Sequence, residues 1–363
     1  MSSFPPGARR TLSIDVTRGI AMLLVCLSHF GLMYFGRAHA ALGETVMRAI
    51  TWPASPTFIV LSGVLLGYLF QERGPTFSRL GMKLIDRGLF LLIPADAVIR
   101  LAHHWVNAEL GPGSLWIFIT DAIGVCLVVG PLLIERVDAV RRVALGAALL
   151  AISWWVYLVW KPTSATHQLV ELVLFGGYRK GAVFPILPWL GAYLIATPLG
   201  AQFSIWNRQR RLVARLLICS IACTTLGVTA HLFLRRVAHG VAPLFSAGQK
   251  YPPSPAYFLT AGGIGLGLLA LSEWADQRDM VPRLLAAFAL VGRSSLIVFV
   301  VQYVVYYVGF FLLNLPLSPL WPIYLVVSLA INFGAAWLWQ RYLGNRYLTV
   351  GLRALTRRLM QQA

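Results

Sequence analysis

The residues best able to do chemistry cluster in the first apolar stretch. Asp15, Arg18 and His29 are ionisable groups in a run otherwise rich in Ile, Leu, Val, Ala and Met. Such a group at membrane depth costs at least ~2.5–3.5 kcal/mol, so it faces a protein interior or polar path and often has a task. His29 is eleven residues after Arg18, three turns along the same helical face, or ~16 Å away. A neutral imidazole can take a proton from a hydroxyl or an amine, although a buried histidine also serves as a packing residue. Asp15 and Arg18, three apart, share a face, an arrangement that suits a helix anchor equally well. A second histidine, His39, follows in the next loop.

Polar residues recur further along. Asp86 and Arg87 open one apolar run; Asp96 and Arg100 lie deeper in it, four apart, and can pair within a helix. Ser62, Gly63 and Gly67 permit close helix packing. Phe184-Pro185-Ile186-Leu187-Pro188-Trp189-Leu190-Gly191 frees backbone groups at two prolines, tolerated where protein or a cavity supplies partners. Lys250-Tyr251-Pro252-Pro253-Ser254-Pro255 predicts a rigid turn presenting Lys250, Tyr251 and Ser254 at a mouth. Gly292-Arg293-Ser294-Ser295-Leu296 leads into a run that carries Gln302, whose amide needs an inward partner. No metal set is visible: His103 and His104 are adjacent, so a helix points them apart. Cys26, Cys126, Cys219 and Cys223 lie in apolar runs without metal or disulfide spacing.

The elements that must hold these groups are helices in lipid. Of the 363 residues, 58% are hydrophobic and 12% charged, where a soluble domain carries about 25% charged residues. Apolar runs of ~20 residues select helices rather than a barrel. The prediction is an all-α, polytopic integral membrane bundle of about ten transmembrane helices. Spans are expected near 14–35, 50–70, 85–104, 115–134, 142–160, 182–203, 212–234, 255–274, 292–313 and 320–340, with short helices in the gaps near 161–181 and 235–254. Residues 1–13 form a cytoplasmic segment, 14–340 the membrane domain and 341–363 a basic cytoplasmic tail. Arg9 and Arg10 before an apolar run, with Ala38-His39-Ala40 after it, imitate a signal peptide, but the run is long enough to be an uncleaved first span. The net charge of +18 collects at alternate helix ends (Arg73, Arg79, Lys83 and Arg87; Arg136, Arg141 and Arg142; Arg208, Arg210, Arg211 and Arg215), which orients both termini toward the cytoplasm. The basic charge therefore meets anionic membrane lipid rather than nucleic acid.

In order along the chain, Ser13-Ile14-Asp15-Val16-Thr17-Arg18-Gly19-Ile20-Ala21, Leu61-Ser62-Gly63, Asp86-Arg87-Gly88-Leu89, the Phe184–Gly191 block, Lys250-Tyr251-Pro252-Pro253-Ser254 and Gly292-Arg293-Ser294-Ser295-Leu296 resemble the transmembrane acyltransferases. The nearest branch is the heparan-α-glucosaminide N-acetyltransferase catalytic-domain-like family, with its bacterial members of unassigned function. The resemblance implies a bacterial inner-membrane enzyme that moves an acyl group, usually acetyl, from cytoplasmic acyl-CoA to a sugar or glycolipid beyond the membrane, acting in the cell envelope on polysaccharide. It implies acetyl-CoA as co-substrate and no bound cofactor. His29 is the first candidate for catalysis and His39 the second, each able to take the acceptor's proton or carry the acyl group. Arg18 and Arg87 are candidates for the CoA phosphates, because guanidinium matches phosphate geometry. Asp15, Trp189, Lys250 and Tyr251 are candidates for acceptor binding, as are Ser254, Arg293 and Gln302. Partners implied are membrane lipids and the acceptor, with a homo-oligomer as an alternative to a single copy.

Two positions depart from the family pattern. Ser28 stands where bacterial members have Asp, and Gln302 where members commonly have His. Neither acts as acid or base near pH 7, which signals altered acceptor choice or lost catalysis. Two other readings follow: a transporter or flippase for a sugar-lipid or small solute, and a non-catalytic partner in envelope-glycan assembly.

Overall fold

A computed structural model describes residues 12–36, 40–106, 117–176, 184–237 and 239–343. His39 lies outside them, as do residues 1–11 and most of the basic tail. The chain is a succession of helices: α1 (Leu12–Phe30), α2 (Ala41–Thr51), α3 (Ala54–Arg73), α4 (Phe77–Phe90), α5 (Asp96–Val106), α6 (Ile119–Ile134), α7 (Ala139–Val159) and α8 (Ala165–Val170). There follow α9 (Ile186–Arg208), α10 (Leu212–Thr229), α11 (Arg235–Val237), α12 (Pro255–Gln277), α13 (Pro282–Arg293), α14 (Ser295–Gln302), α15 (Phe310–Leu313) and α16 (Trp321–Leu343). Single π-helical stretches extend α1, α4, α8, α10 and α14. The short α8 and α11 fall in the two long gaps of the sequence.

Among the described residues, seven helical runs are long and apolar enough to cross a membrane, or eight if a bent pair counts as one. This is fewer than the expected ten, for identifiable reasons. Residues 41–102 form one near-continuous run of 62 residues, which at 1.5 Å per residue is about 90 Å, three membrane thicknesses. It breaks at Gly74, whose φ of +47° is a left-handed conformation that side chains resist. α6 is apolar but has only 16 residues. The span expected to begin near 292 instead begins at Ser295, because α13 and α14 meet at a 73° bend.

The surface identifies the solvent. Only 17% of the apolar window is buried in both α10 and α16, against 67% in the run 41–102. Ile218, Ile221 and Phe233 of one helix and Ile323, Val326 and Ile331 of the other are exposed, a surface that lipid covers. Inside, α9 is the central post, with Trp189, Tyr193 and Phe203 all fully buried. It packs on α3 at backbone distance: a Cβ on Gly67 would stand 1.8 Å from the Thr197 carbonyl oxygen, and one on Gly200 2.0 Å from that of Val64. Without a hydrophobic drive between helices in lipid, such small-residue contacts supply the van der Waals cohesion. α1 and α13 use the same device, with Gly19 against the Phe288 carbonyl and Gly292 against that of Asp15.

Polar ties lock the bundle. Ser13 donates to Glu273 at 2.6 Å, joining α1 to α12, and at the same seam the Thr17 and Ser272 hydroxyl oxygens lie 3.1 Å apart. Arg142, expected among the charges at cytoplasmic helix ends, is 5% exposed. Its guanidinium donates to Thr197 Oγ1 at 3.1 Å and to the carbonyls of Ile134 and Val137, so it closes the end of α6 while binding α9.

Candidate active site

α1, α3, α4, α6, α9 and α14 line a cleft with about 870 Å³ of empty space, counting the part open to solvent. Its wall is chiefly apolar, built from residues such as Met22, Phe58, Leu66, Ile123, Leu127 and Phe299. Against that wall stand two guanidinium residues, Arg18 and Arg87. The first comes from α1 and the second from α4; the packing of those helices, not their sequence separation, brings both to one volume. Arg18 Nη2 donates to Ser295 Oγ at 3.2 Å, fixing it to the first residue of α14 just past the bend.

Three other hydroxyls line the cleft. Ser62 returns its proton to the Phe58 carbonyl at 2.7 Å. Thr120 and Tyr193, both buried, have no hydrogen-bond partner among the described residues.

His29 stands beside the cleft rather than on its lining. It is partly exposed and sits among three rings edge-on: Tyr303 at 5.2 Å, Tyr307 at 5.5 Å and Phe299 at 6.5 Å between centroids. Phe299 belongs to both settings, so one ring separates the cleft from the imidazole. From Tyr303 the contacts continue to Phe118 at 5.8 Å, with the Arg100 guanidinium 5.6 Å above the Phe118 ring. Arg100 Nε donates to Asp96 at 2.5 Å, the pairing expected from their spacing, and Nη2 reaches Asp121 at 3.4 Å. Asp121 also accepts the Phe118 backbone N–H at 2.8 Å, which caps α6.

A third group surrounds Trp189. Phe184 and Phe258 pack on its indole at 5.3 and 5.0 Å, and Tyr251 meets Phe184 at 6.0 Å. The Lys250 ammonium lies 5.3 Å from both the Phe184 and Tyr251 rings, a double cation–π contact. Trp189, Lys250 and Tyr251 are thus brought together as an aromatic and basic patch, and Tyr251 is exposed.

The remaining candidates are placed differently. Ser254, expected at the mouth, is fully buried: its hydroxyl accepts from Tyr257 N at 2.8 Å and donates to the Ser246 carbonyl at 2.7 Å. It is the N-cap of α12, and capping occupies both hydrogen-bonding directions of the oxygen. Asp15 is buried where α1 meets α13, and Arg293 ends α13; neither lines the cleft. Gln302 is fully buried, as expected of an amide in an apolar span, yet neither amide atom has a partner among the described residues, and it too is off the lining. Sequence reasoning missed Thr120, Tyr193, Phe299, Phe118 and Asp121. Only Asp121, an acid at the start of an apolar run, carried a signal that could have found it.

No curated protein matches the chain. A family model described as heparan-alpha-glucosaminide N-acetyltransferase, catalytic, matches residues 10–233. The matched stretch contains Arg18, His29, Arg87, Thr120, Trp189 and Tyr193, while the Lys250 and Gly292 blocks lie beyond it. With more than half of its 363 residues inside the match, an all-helical body and a lipid-facing surface, the chain belongs to the heparan-α-glucosaminide N-acetyltransferase catalytic family of membrane acetyltransferases.

Proposed function

We propose that this protein transfers an acetyl group from cytoplasmic acetyl-CoA to an amine or hydroxyl of an envelope sugar or glycolipid, with His29 as the base. One observation carries the reading: a single cleft has two guanidinium residues on its wall and reaches Phe299, the ring against which His29 packs. That is a binding site for a long substrate with an anionic head and a reactive tail. Arg18 and Arg87 hold the CoA phosphates by charge-assisted hydrogen bonds. The apolar wall sheathes the pantetheine arm and excludes water, which protects the thioester from hydrolysis. His29 takes a proton from the acceptor, whose nitrogen or oxygen attacks the thioester carbon. The carbon–sulfur bond breaks, and the departing thiolate receives the proton from the imidazole. The Lys250 and Tyr251 patch, with Trp189 buried beneath it, suits a sugar, since the exposed tyrosine face stacks on C–H surfaces and an ammonium pairs with acidic substituents.

The same proposal includes ten crossings of a bacterial inner membrane with both termini inside, the long run 41–102 being folded into more than one. It keeps His39 as the second candidate base.

The test is acetyl-CoA turnover by the protein in lipid nanodiscs, with and without a panel of envelope glycans and glycolipids. His29→Ala is expected to lower acceptor-dependent CoA release by about 10²-fold or more, in the range of general-base catalysis, with acetyl-CoA affinity retained. Undiminished turnover in that variant, lost instead in His39→Ala, would move the base to the loop. Absence of acetyl-CoA binding by the wild type would overturn the enzyme reading.

A further inference from the structure

Thr120 is the second residue of α6, and its position decides what its hydroxyl can do. Other buried helical threonines spend their proton on the preceding turn: Thr17 donates to the Ser13 carbonyl, Thr51 to Met47, Thr57 to Pro53 and Thr260 to Ala256, each at 2.7–2.8 Å. That back-bond is the ordinary way to satisfy such a group in a helix. Thr120 has no helical turn before it. It is 5% exposed, and its Oγ1 has no hydrogen-bond partner among the described residues. A hydroxyl left so in an apolar interior costs free energy unless something else pairs with it. What it faces is the cleft.

Its place along the cleft is fixed by its neighbours. Tyr193, the other unpaired hydroxyl, belongs to a different level: a Cβ on Gly130 would lie 2.7 Å from the Tyr193 hydroxyl oxygen, and Gly130 is ten residues or ~15 Å further along α6. Gly88, which follows Arg87, packs on Gly124 and Val128, one to two turns from Thr120 in the same direction. Thr120 therefore lies at the opposite end from the Arg87 level. At that end Phe118, two residues before it, touches Tyr303, which touches His29. Among the polar residues on the lining, Ser62 has given its proton to Phe58, and Ser295, which accepts from Arg18, stands at the level of that guanidinium.

We infer that the Thr120 hydroxyl donates to the acyl carbonyl oxygen of the bound thioester and stabilises the oxyanion that forms there. The inference rests on the acetyl-transfer reading above and adds a second catalytic residue to it. When the acceptor's lone pair attacks the thioester carbon, the carbonyl π pair moves onto oxygen. Thr120 keeps its proton and shares it with that oxygen; collapse restores the carbonyl and expels the thiolate. A donor fixed in a water-poor wall acts more strongly on a developing charge than on the neutral carbonyl.

The test compares wild type, Thr120→Val and Thr120→Ser in nanodiscs, with carbonyl-labelled acetyl-CoA as the ligand and D-glucosamine as the acceptor probe. Infrared difference spectra of the bound thioester are expected to show a lower carbonyl stretching frequency in wild type and Thr120→Ser than in Thr120→Val. Turnover in Thr120→Val is expected to fall about 10²-fold in kcat, with KM and acetyl-CoA affinity nearly unchanged, and Thr120→Ser is expected to recover most of it. An unchanged carbonyl frequency in Thr120→Val would overturn the role, as would equal losses in both variants, which would signify packing alone. If wild type binds no acetyl-CoA, the transfer reading fails first and this inference with it; if wild type binds and the three spectra coincide, only the Thr120 assignment fails.

Discussion

Arg18 and Arg87 reach one volume from two helices, and a phosphate between them would gain from both. Removing either guanidinium should remove a charge-assisted hydrogen bond, about 1.5–3 kcal/mol or roughly ten- to a hundredfold in affinity. Arg18→Ala and Arg87→Ala are thus each expected to weaken acetyl-CoA by about that factor in a calorimetric titration, while binding of S-acetylpantetheine, which lacks the phosphates, stays as in wild type. Equal weakening of both ligands would mean that the arginines shape the cleft and do not read the phosphates. At this scale the sequence was informative where a residue broke its surroundings: Arg18, His29 and Arg87 stand out because charge in an apolar run is conspicuous. Thr120, Tyr193 and Phe299 do not, since threonines and aromatics are ordinary in membrane helices. What singles them out is the absence of a back-bond in one case and a shared wall in another, and both are properties of packing. Ser254 shows the reverse, a polar residue in a conspicuous block whose hydroxyl is consumed by capping a helix.

Helices in this bundle meet at their backbones, so their interfaces tolerate little. Gly67→Ala puts a methyl group 1.8 Å from the Thr197 oxygen, and neither partner is a flexible side-chain end. Overpacking of this kind costs about 1–3 kcal/mol. The variant is expected to unfold at lower temperature in detergent than Gly74→Ala, where no atom lies within 4 Å and the strain is confined to a turn. Equal melting temperatures would show that α3 and α9 slide apart freely. The glycines of α3 advertised close packing in the sequence, though their partner helix was not legible. Nor was the bend between α13 and α14. Gly292-Arg293-Ser294-Ser295 reads as the start of a span, and only tertiary contacts show that Pro282–Arg293 is a separate arm pressed on α1. The positive-inside rule places Arg142 among the basic residues at cytoplasmic helix ends; such a residue can sit at the membrane edge and still be buried, because the end of α6 presents carbonyls to it.

For the molecule as a whole, composition fixed the solvent and helix as the only element, while the count of crossings depends on how long runs fold. The proposed orientation places the turn between α6 and α7 inside and the Lys250–Ser254 turn outside. In intact cells or right-side-out vesicles, a membrane-impermeant maleimide is expected to label Tyr251→Cys and not Val137→Cys, above the background of the native cysteines. Labelling of Val137→Cys would invert or re-thread the bundle. Asp138, at the start of α7, belongs to the aqueous side of this map: it is exposed, and the Arg141 backbone N–H donating to it holds its carboxyl below the usual range.

The cleft draws one wall from α1 and another from α14, whose contributions, Ser295, Leu296 and Phe299, follow nearly three hundred residues after the start. A ribosome delivers those walls in order. While the chain is still emerging, Arg18 has no Ser295 to hold it and His29 has none of its three rings, so the nascent protein carries an open groove. Synthesis of roughly the last fifth is therefore also the maturation step of the site: a growing chain cannot close the cleft before it is nearly finished.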